Sequence, residues 1–380
     1  MPYTMRPAPG CSRRPSRPKK SGARCKPGQH EEREARVKKT NKIVSWLVGC
    51  ALVGGVALAG AEERLKVGMV SDGGPFDDAG FNENCKEGLS RAMQEFKVFG
   101  YFREGFSPKD YQDKLTELSE KNYRLIVGVG YRMQDDLAVM AGKYTNTWFA
   151  IVDGHYEKPL PNVMSLEFAV DQCAFPAGFL AAAWADLKDP DDPQVGFVGG
   201  VRTEIVEQFT APYQAGVEYY NRKYGKQVAV LGEYSDTFNS ASKGRVLAKA
   251  LLEKGVDVIF GVGSKTGNGA LAAAREKGKW GIGVDVDQYY SLVDEQAMLL
   301  TSCLKRMDNA VYAVVQAARQ GTFKGGSSYL GTLENQGVGL APYHAFEHEI
   351  PEQIKKDVEL IRQEIVSGSL STGWPVKPGS

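Results

Sequence analysis

Four polar clusters in this 380-residue chain each follow a short apolar run, and each could grip a small hydrogen-bonding solute. The first lies in Lys66 to Asn82, KVGMVSDGGPFDDAGFN, where a Gly-rich turn holds the carboxylates Asp72, Asp77 and Asp78 and leads into Phe81 and Asn82. An aromatic face and a carboxamide at a helix start can stack on and hydrogen-bond a planar polar ligand. The second is Asp153, which closes Trp148-Phe149-Ala150-Ile151-Val152. The third is GVGSKTGNG, Gly261 to Gly269, after Val258-Ile259-Phe260; its backbone at Gly261 or Gly263 could approach a ligand closely. The fourth is Asp285, with Asp287 and Gln288, after Trp280-Gly281-Ile282-Gly283-Val284. Lys305 ends one further apolar run, Leu299 to Leu304. Carboxylates accept pairs of hydroxyl hydrogen bonds, which suits a ribose or another sugar diol, and Phe81 and Phe260 offer flat faces.

Each of these residues also has a plainer role open to it. Asp77 and Asp78 can cap the following helix, and Asp72 can close its own turn. Phe81 and Phe260 can be core, and Lys305 can be a solvated surface group. Gly263-Ser264-Lys265-Thr266 lacks the full phosphate-loop pattern. Asp285 and Asp287 have no further acid at metal-ligand spacing. The cysteines, at 11, 25, 50, 85, 173 and 303, show no C-x-x-C pair, so no zinc site is expected. There is no G-x-S-x-G, and the four histidines neighbour no nucleophile motif. The Asp72-Gly-Gly-Pro-Phe-Asp77-Asp78 turn resembles the metal-binding turn of nucleoside hydrolases, but it lacks that turn's first Asp and is one residue longer. The reading is a binding protein with no catalytic set, metal or cofactor.

Strands and helices must position these clusters. Strand-like runs fall at 66–71, 97–102, 124–129, 147–152, 162–168, 195–199, 227–231, 256–261, 281–284 and 298–303. Helical patterns fall at 80–96, 108–120, 131–143, 173–187, 203–223, 240–254, 267–277, 306–320 and 351–366. Repeated strand-then-helix alternation predicts an α/β fold of parallel sheets with right-handed crossovers. About ten strands are too many for one compact sheet, so two lobes are expected. In such sheets ligands collect at the carboxyl ends of strands, where the clusters lie.

The N-terminal part has a different character. Residues 1–42 carry 13 Lys+Arg against 3 Asp+Glu, net +10, whereas the remainder is net −9. An acidic globular part argues against nucleic acid as partner. Residues 1–36, rich in Pro, Arg, Lys and Gly, read as a disordered basic extension. Residues 37–61 read as a signal peptide or membrane segment. Lys38, Lys39 and Lys42 precede an uncharged run from Ile43 to Ala61 that ends in Ala59-Gly60-Ala61, an A-x-A site for cleavage after Ala61. Inside it, Leu47-Val48-Gly49-Cys50 fits a lipobox that would leave Cys50 lipidated, and the run is also long enough for an uncleaved anchor. A start at Val37 would turn this leader into an ordinary signal peptide.

Five stretches, SDGGPFDDAGFNENCKEGL (71–89), FAIVDG (149–154), DVIFGVGSKTGNG (257–269), GIGVDVDQY (281–289) and LTSCLKRMDNAV (300–311), resemble the basic membrane protein family. These are substrate-binding components of ABC transporters, and the likeness is to their purine nucleoside receptors. The resemblance covers about residues 64–370. It implies a type I periplasmic-binding-protein fold, two Rossmann-like lobes joined by crossing hinge segments. The division expected is 62–172 with 282–322 for lobe 1, 173–281 with 323–370 for lobe 2, and a tail at 371–380. The resemblance implies that Asp72, Phe81 and Asn82 touch a nucleoside, with Asp153 at the base edge and Phe260 as second stacking face. It implies further that Asp285 and Lys305 hold the ribose hydroxyls, and that Gly261 or Gly263 contributes backbone. Gly80 stands where the family commonly has Ser. The partners implied are a nucleoside, an ABC permease and, through a lipid or N-terminal anchor, the membrane surface. The place implied is outside the cytoplasmic membrane. Another small polar solute, such as a sugar, remains open as the ligand.

Overall fold

The computed structural model describes residues 64–374. The expectations for the basic extension, the signal segment, Cys50 and the last part of the tail lie outside the described residues.

Twelve strands form two six-stranded sheets within the described residues. The first sheet contains β1 (Lys66–Ser71), β2 (Phe99–Glu104), β3 (Leu125–Val129), β4 (Trp148–Val152), β5 (Val163–Phe168) and β11 (Ser327–Gly331), in the order β11-β5-β4-β3-β1-β2. The second contains β6 (Gln194–Gly199), β7 (Ala229–Tyr234), β8 (Val258–Val262), β9 (Trp280–Asp285), β10 (Leu299–Lys305) and β12 (Val338–Leu340), in the order β12-β10-β9-β8-β6-β7. Every pairing is parallel except β10 with β12. Central strands such as β3 and β8 are buried along their whole length, as strands covered on both faces must be.

The helices of the described residues are α1 (Phe81–Phe96), α2 (Pro108–Glu120), α3 (Gln134–Lys143), α4 (Asp171–Lys188), α5 (Glu204–Tyr224), α6 (Ala241–Glu253), α7 (Ser264–Glu276), α8 (Gln288–Ser291), α9 (Met307–Arg319) and α10 (Glu352–Val366). Helix α1 buries Cys85, Gly88, Leu89 and Ala92 against the first sheet, with Met93 and Phe96 partly buried beside them. Helix α4 is so rich in Ala and Phe that 14 of its residues are buried, which fits a helix covered on every side.

Three differences from expectation concern this frame. The sheets gain the edge strands β11, which opens on two serines, and β12, which is only three residues long, so neither stands out as an apolar run. Residues 282–322 do not rejoin lobe 1 as a block. Strand β10 pairs with β9 in the second sheet, and only α9 crosses back to pack on α1. Residues 323–370 divide as well, with β11 in the first sheet, β12 in the second and α10 against α4. The chain therefore passes between lobes three times, after β5, after β10 and between β11 and β12. Finally, the helix expected at 267–277 begins three residues earlier, as α7 starts at Ser264. A Cβ on Gly269 would lie 2.0 Å from the carbonyl oxygen of Ala241, so glycine there lets α7 press against α6.

Candidate functional site

A cleft of about 700 Å³ lies between the lobes, at the carboxyl ends of the strands. Lobe 1 supplies Asp72 after β1, Gly130 and Arg132 after β3, Asp153 after β4, and Phe81 and Asn82 from the first turn of α1. Lobe 2 supplies Phe209 from α5, Phe238 and Asn239 from the loop before α6, Gly263 and Ser264 after β8, Asp285 at the end of β9 and Lys305 at the end of β10. Each sheet reverses its strand order next to these residues, between β1 and β3 and between β6 and β8. A reversal sends the flanking helices to opposite faces and opens a crevice.

The backbone bends sharply to aim these groups. Asp153 and Asp285 adopt left-handed φ values of 63° and 68° at the ends of their strands, a conformation that Asp tolerates better than most residues. Gly130 has φ 107°, and a Cβ there would lie 2.2 Å from the Asp72 carboxylate. No side chain fits at that position while Asp72 keeps its place. Asp72 is held by the Arg132 backbone N–H, which donates to its Oδ2 at 2.7 Å, and by the Tyr111 hydroxyl, which donates to its carbonyl oxygen at 2.5 Å.

Charge is unevenly satisfied in the cleft. Lys305 and Asp153, both nearly inaccessible, form an ion pair at 2.5 Å between the lobes. The Lys305 ammonium also lies 5.2 Å from the centre of the Phe81 ring. Asp285 is buried at 7% exposure, and among the described residues no side chain or backbone group donates a hydrogen bond to its carboxylate. Burial pushes its pKa up to about 7, opposed by Lys305 and reinforced by Asp153 and Asp78. Burial also lifts Asp72 to about 7, although the Arg132 N–H and guanidinium work against the rise. The cavity thus presents a lone carboxylate beside an ion pair on one wall and the rings of Phe81, Phe209 and Phe238 on others. Among the described residues, no three His, Cys, Asp or Glu are grouped to hold a metal ion.

The lobes also touch directly. Side chains of lobe 2 donate to the 72–80 turn of lobe 1. Ser264 Oγ reaches Asp78 Oδ2 at 3.0 Å, Asn268 Nδ2 reaches the Asp78 carbonyl at 3.2 Å, and Ser291 Oγ reaches the Ala79 carbonyl at 3.0 Å. Asn239 Nδ2 donates to the Gly73 carbonyl, and the Arg132 guanidinium sits 5.1 Å from the Phe238 ring centre. These contacts close the cleft.

Seven of the nine ligand-contact residues expected from sequence line this one cavity: Asp72, Phe81, Asn82, Asp153, Gly263, Asp285 and Lys305. Two do not. Phe260 is fully buried and packs on Tyr213 at 5.1 Å and edge-on to Phe209 at 6.3 Å. Its side of β8 faces α5, so its ring is core and Phe209 stands between it and the cavity. Gly261 faces α7, where a Cβ would lie 2.8 Å from the carbonyl oxygen of Gly267. Asp78 does cap α1, taking the N–H groups of Gly80, Asn82 and Glu83. Sequence reasoning missed Arg132, Phe209, Phe238, Asn239 and Ser264. One signal was available: the pair Phe238-Asn239 before α6 repeats the pair Phe81-Asn82 at the start of α1.

Comparison with known proteins agrees with this architecture. Residues 65–371 match the family described as ABC transporter substrate-binding protein PnrA-like. A CD4+ T-cell-stimulating antigen of Listeria monocytogenes is 32% identical over 336 residues, covering 84% of this chain and 90% of its own. The ABC transporter nucleoside-binding protein BmpA of Lactococcus lactis is 27% identical, covering 86% of this chain and 95% of its own. Among solved structures, an ABC transporter solute-binding protein from Aeropyrum pernix superposes with a TM-score of 0.76 at 26% identity, covering 83% of this chain and 94% of that one. The chain belongs to the PnrA-like, or basic membrane protein, family of ABC transporter substrate-binding proteins, with their two-lobed periplasmic-binding-protein fold.

Proposed function

We propose that this protein captures nucleosides, with purine nucleosides preferred, outside the cytoplasmic membrane and delivers them to an ABC importer without chemical change. One observation carries the reading: a buried carboxylate with no donor, Asp285, stands in the same cavity as three aromatic rings. A ribose diol would supply the missing donors, and a flat base would fill the space among Phe81, Phe209 and Phe238. The likeness to a nucleoside-binding relative supports the same ligand class.

Asp72, Phe81, Asn82, Asp153, Gly263, Asp285 and Lys305 are the proposed ligand contacts, joined by Phe209, Phe238 and Arg132. Stacking supplies affinity for any base, and the polar groups reject solutes that lack partners for them. The leader is proposed to be cleaved after Ala61, or to hold the protein at the membrane through lipid at Cys50 or as an uncleaved segment. No helix of the described residues is long and apolar enough to cross a membrane. Calorimetry with inosine, adenosine and ribose tests the ligand class, with the product mixture analysed for free base. One-to-one binding of a nucleoside, much weaker binding of ribose and no free base are expected. Preferential binding of ribose, or steady release of base, refutes the proposal.

A further inference from the structure

Asp78 stands where helix capping, lobe closure and the cavity meet, and it is 2% exposed. Its Oδ1 accepts the N–H groups of Gly80 and Glu83, both at 3.1 Å. Its Oδ2 accepts the Asn82 N–H at 3.1 Å, the Asn82 Nδ2 at 3.2 Å and, from the other lobe, the Ser264 hydroxyl at 3.0 Å. Asn82 lines the cavity, and because it spends its Nδ2 on Asp78, its Oδ1 is the amide atom left to accept a hydrogen bond. That oxygen is buried and has no hydrogen-bond partner. The opposite amide orientation would set two acceptors, Asn82 Oδ1 and Asp78 Oδ2, against each other. A buried acceptor without a donor is costly, so the bound molecule is the remaining source of one.

We propose that Asp78 is a positioning residue that fixes the Asn82 carboxamide with its oxygen toward the cavity, so that the site selects bases carrying an N–H donor. The inference rests on the nucleoside reading above. The favoured class has an exocyclic amine or a ring N–H on the base, and a purine with neither is disfavoured. Closure contributes, because Ser264 reaches the same Oδ2 only when the lobes meet.

Calorimetry with adenosine, inosine and purine riboside tests this. The three share ring size and ribose, but the base of purine riboside has no N–H. The wild-type protein is expected to bind adenosine or inosine at least about tenfold more tightly than purine riboside, as a site with an unpaired polar group rejects a ligand lacking its partner. Asn82→Leu should bring that ratio near one. Asp78→Asn should lower it, and Asp78→Ser, which keeps a capping hydroxyl too short to hold the amide, should do the same in a protein shown to be folded by its thermal melt. A purely structural Asp78 would weaken all three ligands alike and leave the ratio untouched. Wild-type protein that binds purine riboside as well as the others overturns the inference while the nucleoside reading stands, and so does an unchanged ratio in Asp78→Ser. Failure to bind any of the three removes the nucleoside reading and the inference with it.

Discussion

Replacing Lys305 by Met keeps most of the side-chain volume and removes one charge from a pocket that holds several carboxylates. The ammonium pairs with Asp153 at 2.5 Å and is the leading favourable influence on Asp285. Without it, two buried carboxylates face each other uncompensated. Breaking a buried pair in this way costs about 3–5 kcal/mol. For about 310 described residues, an unfolding entropy of about 2 cal/mol/K per residue converts that loss into a fall in Tm of about 5–8 °C. The deficit must depend on pH in a definite direction. Losing the cation raises the folded-state pKa of Asp285, already about 7, still further above its unfolded value near 4. The Asp285 part of the penalty is therefore complete above the raised value and disappears as pH falls below about 7. Calorimetric melts of wild type and Lys305→Met, run without ligand from pH 8 down to pH 5, measure it. A Tm within about a degree of wild type at pH 8, or a gap that widens on acidification, would show that the pair does not hold the two carboxylates in place.

Other perturbations separate the ligand contacts from the core. Asp285→Ala should weaken nucleoside binding by about 1–3 kcal/mol in calorimetry, because hydroxyls buried in the cleft lose their acceptor; unchanged affinity would remove Asp285 from the site. Phe260→Ala should cost about 3–5 kcal/mol of stability in denaturant melts, whereas Phe209→Ala should mainly reduce affinity, and the reverse pattern would contradict the assignment of their rings. Gly130→Ala should lower both stability and affinity, since its Cβ would overlap the Asp72 carboxylate; a variant with normal binding would mean that Asp72 can move freely. Asp72 and Asp285 both titrate near 7, so the ligand-free protein should lose stability as pH rises from about 4 through 7. Hydroxyl donors favour the ionised carboxylate, and nucleoside binding near pH 6.5 should release protons, seen as a buffer-dependent enthalpy. An enthalpy equal in buffers of different ionisation heat would exclude this linkage.

The strands and most site residues were legible because parallel strands are apolar runs and their ends are polar. Asp72, Asp153 and Asp285 each stop such a run, and Lys305 does the same. Ring direction was not legible. Phe260 ends the visible apolar part of β8, yet the alternation of side chains turns it toward α5. Phe209 lies among the apolar positions of a long helix, where a residue that reaches the cleft looks like core. The start of α7 at Ser264, ahead of the helical pattern at 267–277, was hidden because glycine disfavours helix, but tight packing of α7 on α6 and β8 outweighs propensity there. Lobe boundaries failed for a topological reason. The run 299–305 carries no mark of which sheet it joins, and only pairing with β9 decides it.

The third passage of the chain between the lobes governs when either lobe can be finished. Strand β11 covers the edge of β5, and β12 covers the edge of β10, yet both lie beyond residue 326. A nascent chain leaving the ribosome must therefore leave the edges of β5 and β10 unpaired until residues 327–340 have been made. Such edges invite pairing with other chains, so this late completion makes biosynthesis dependent on keeping the growing polypeptide apart from its neighbours.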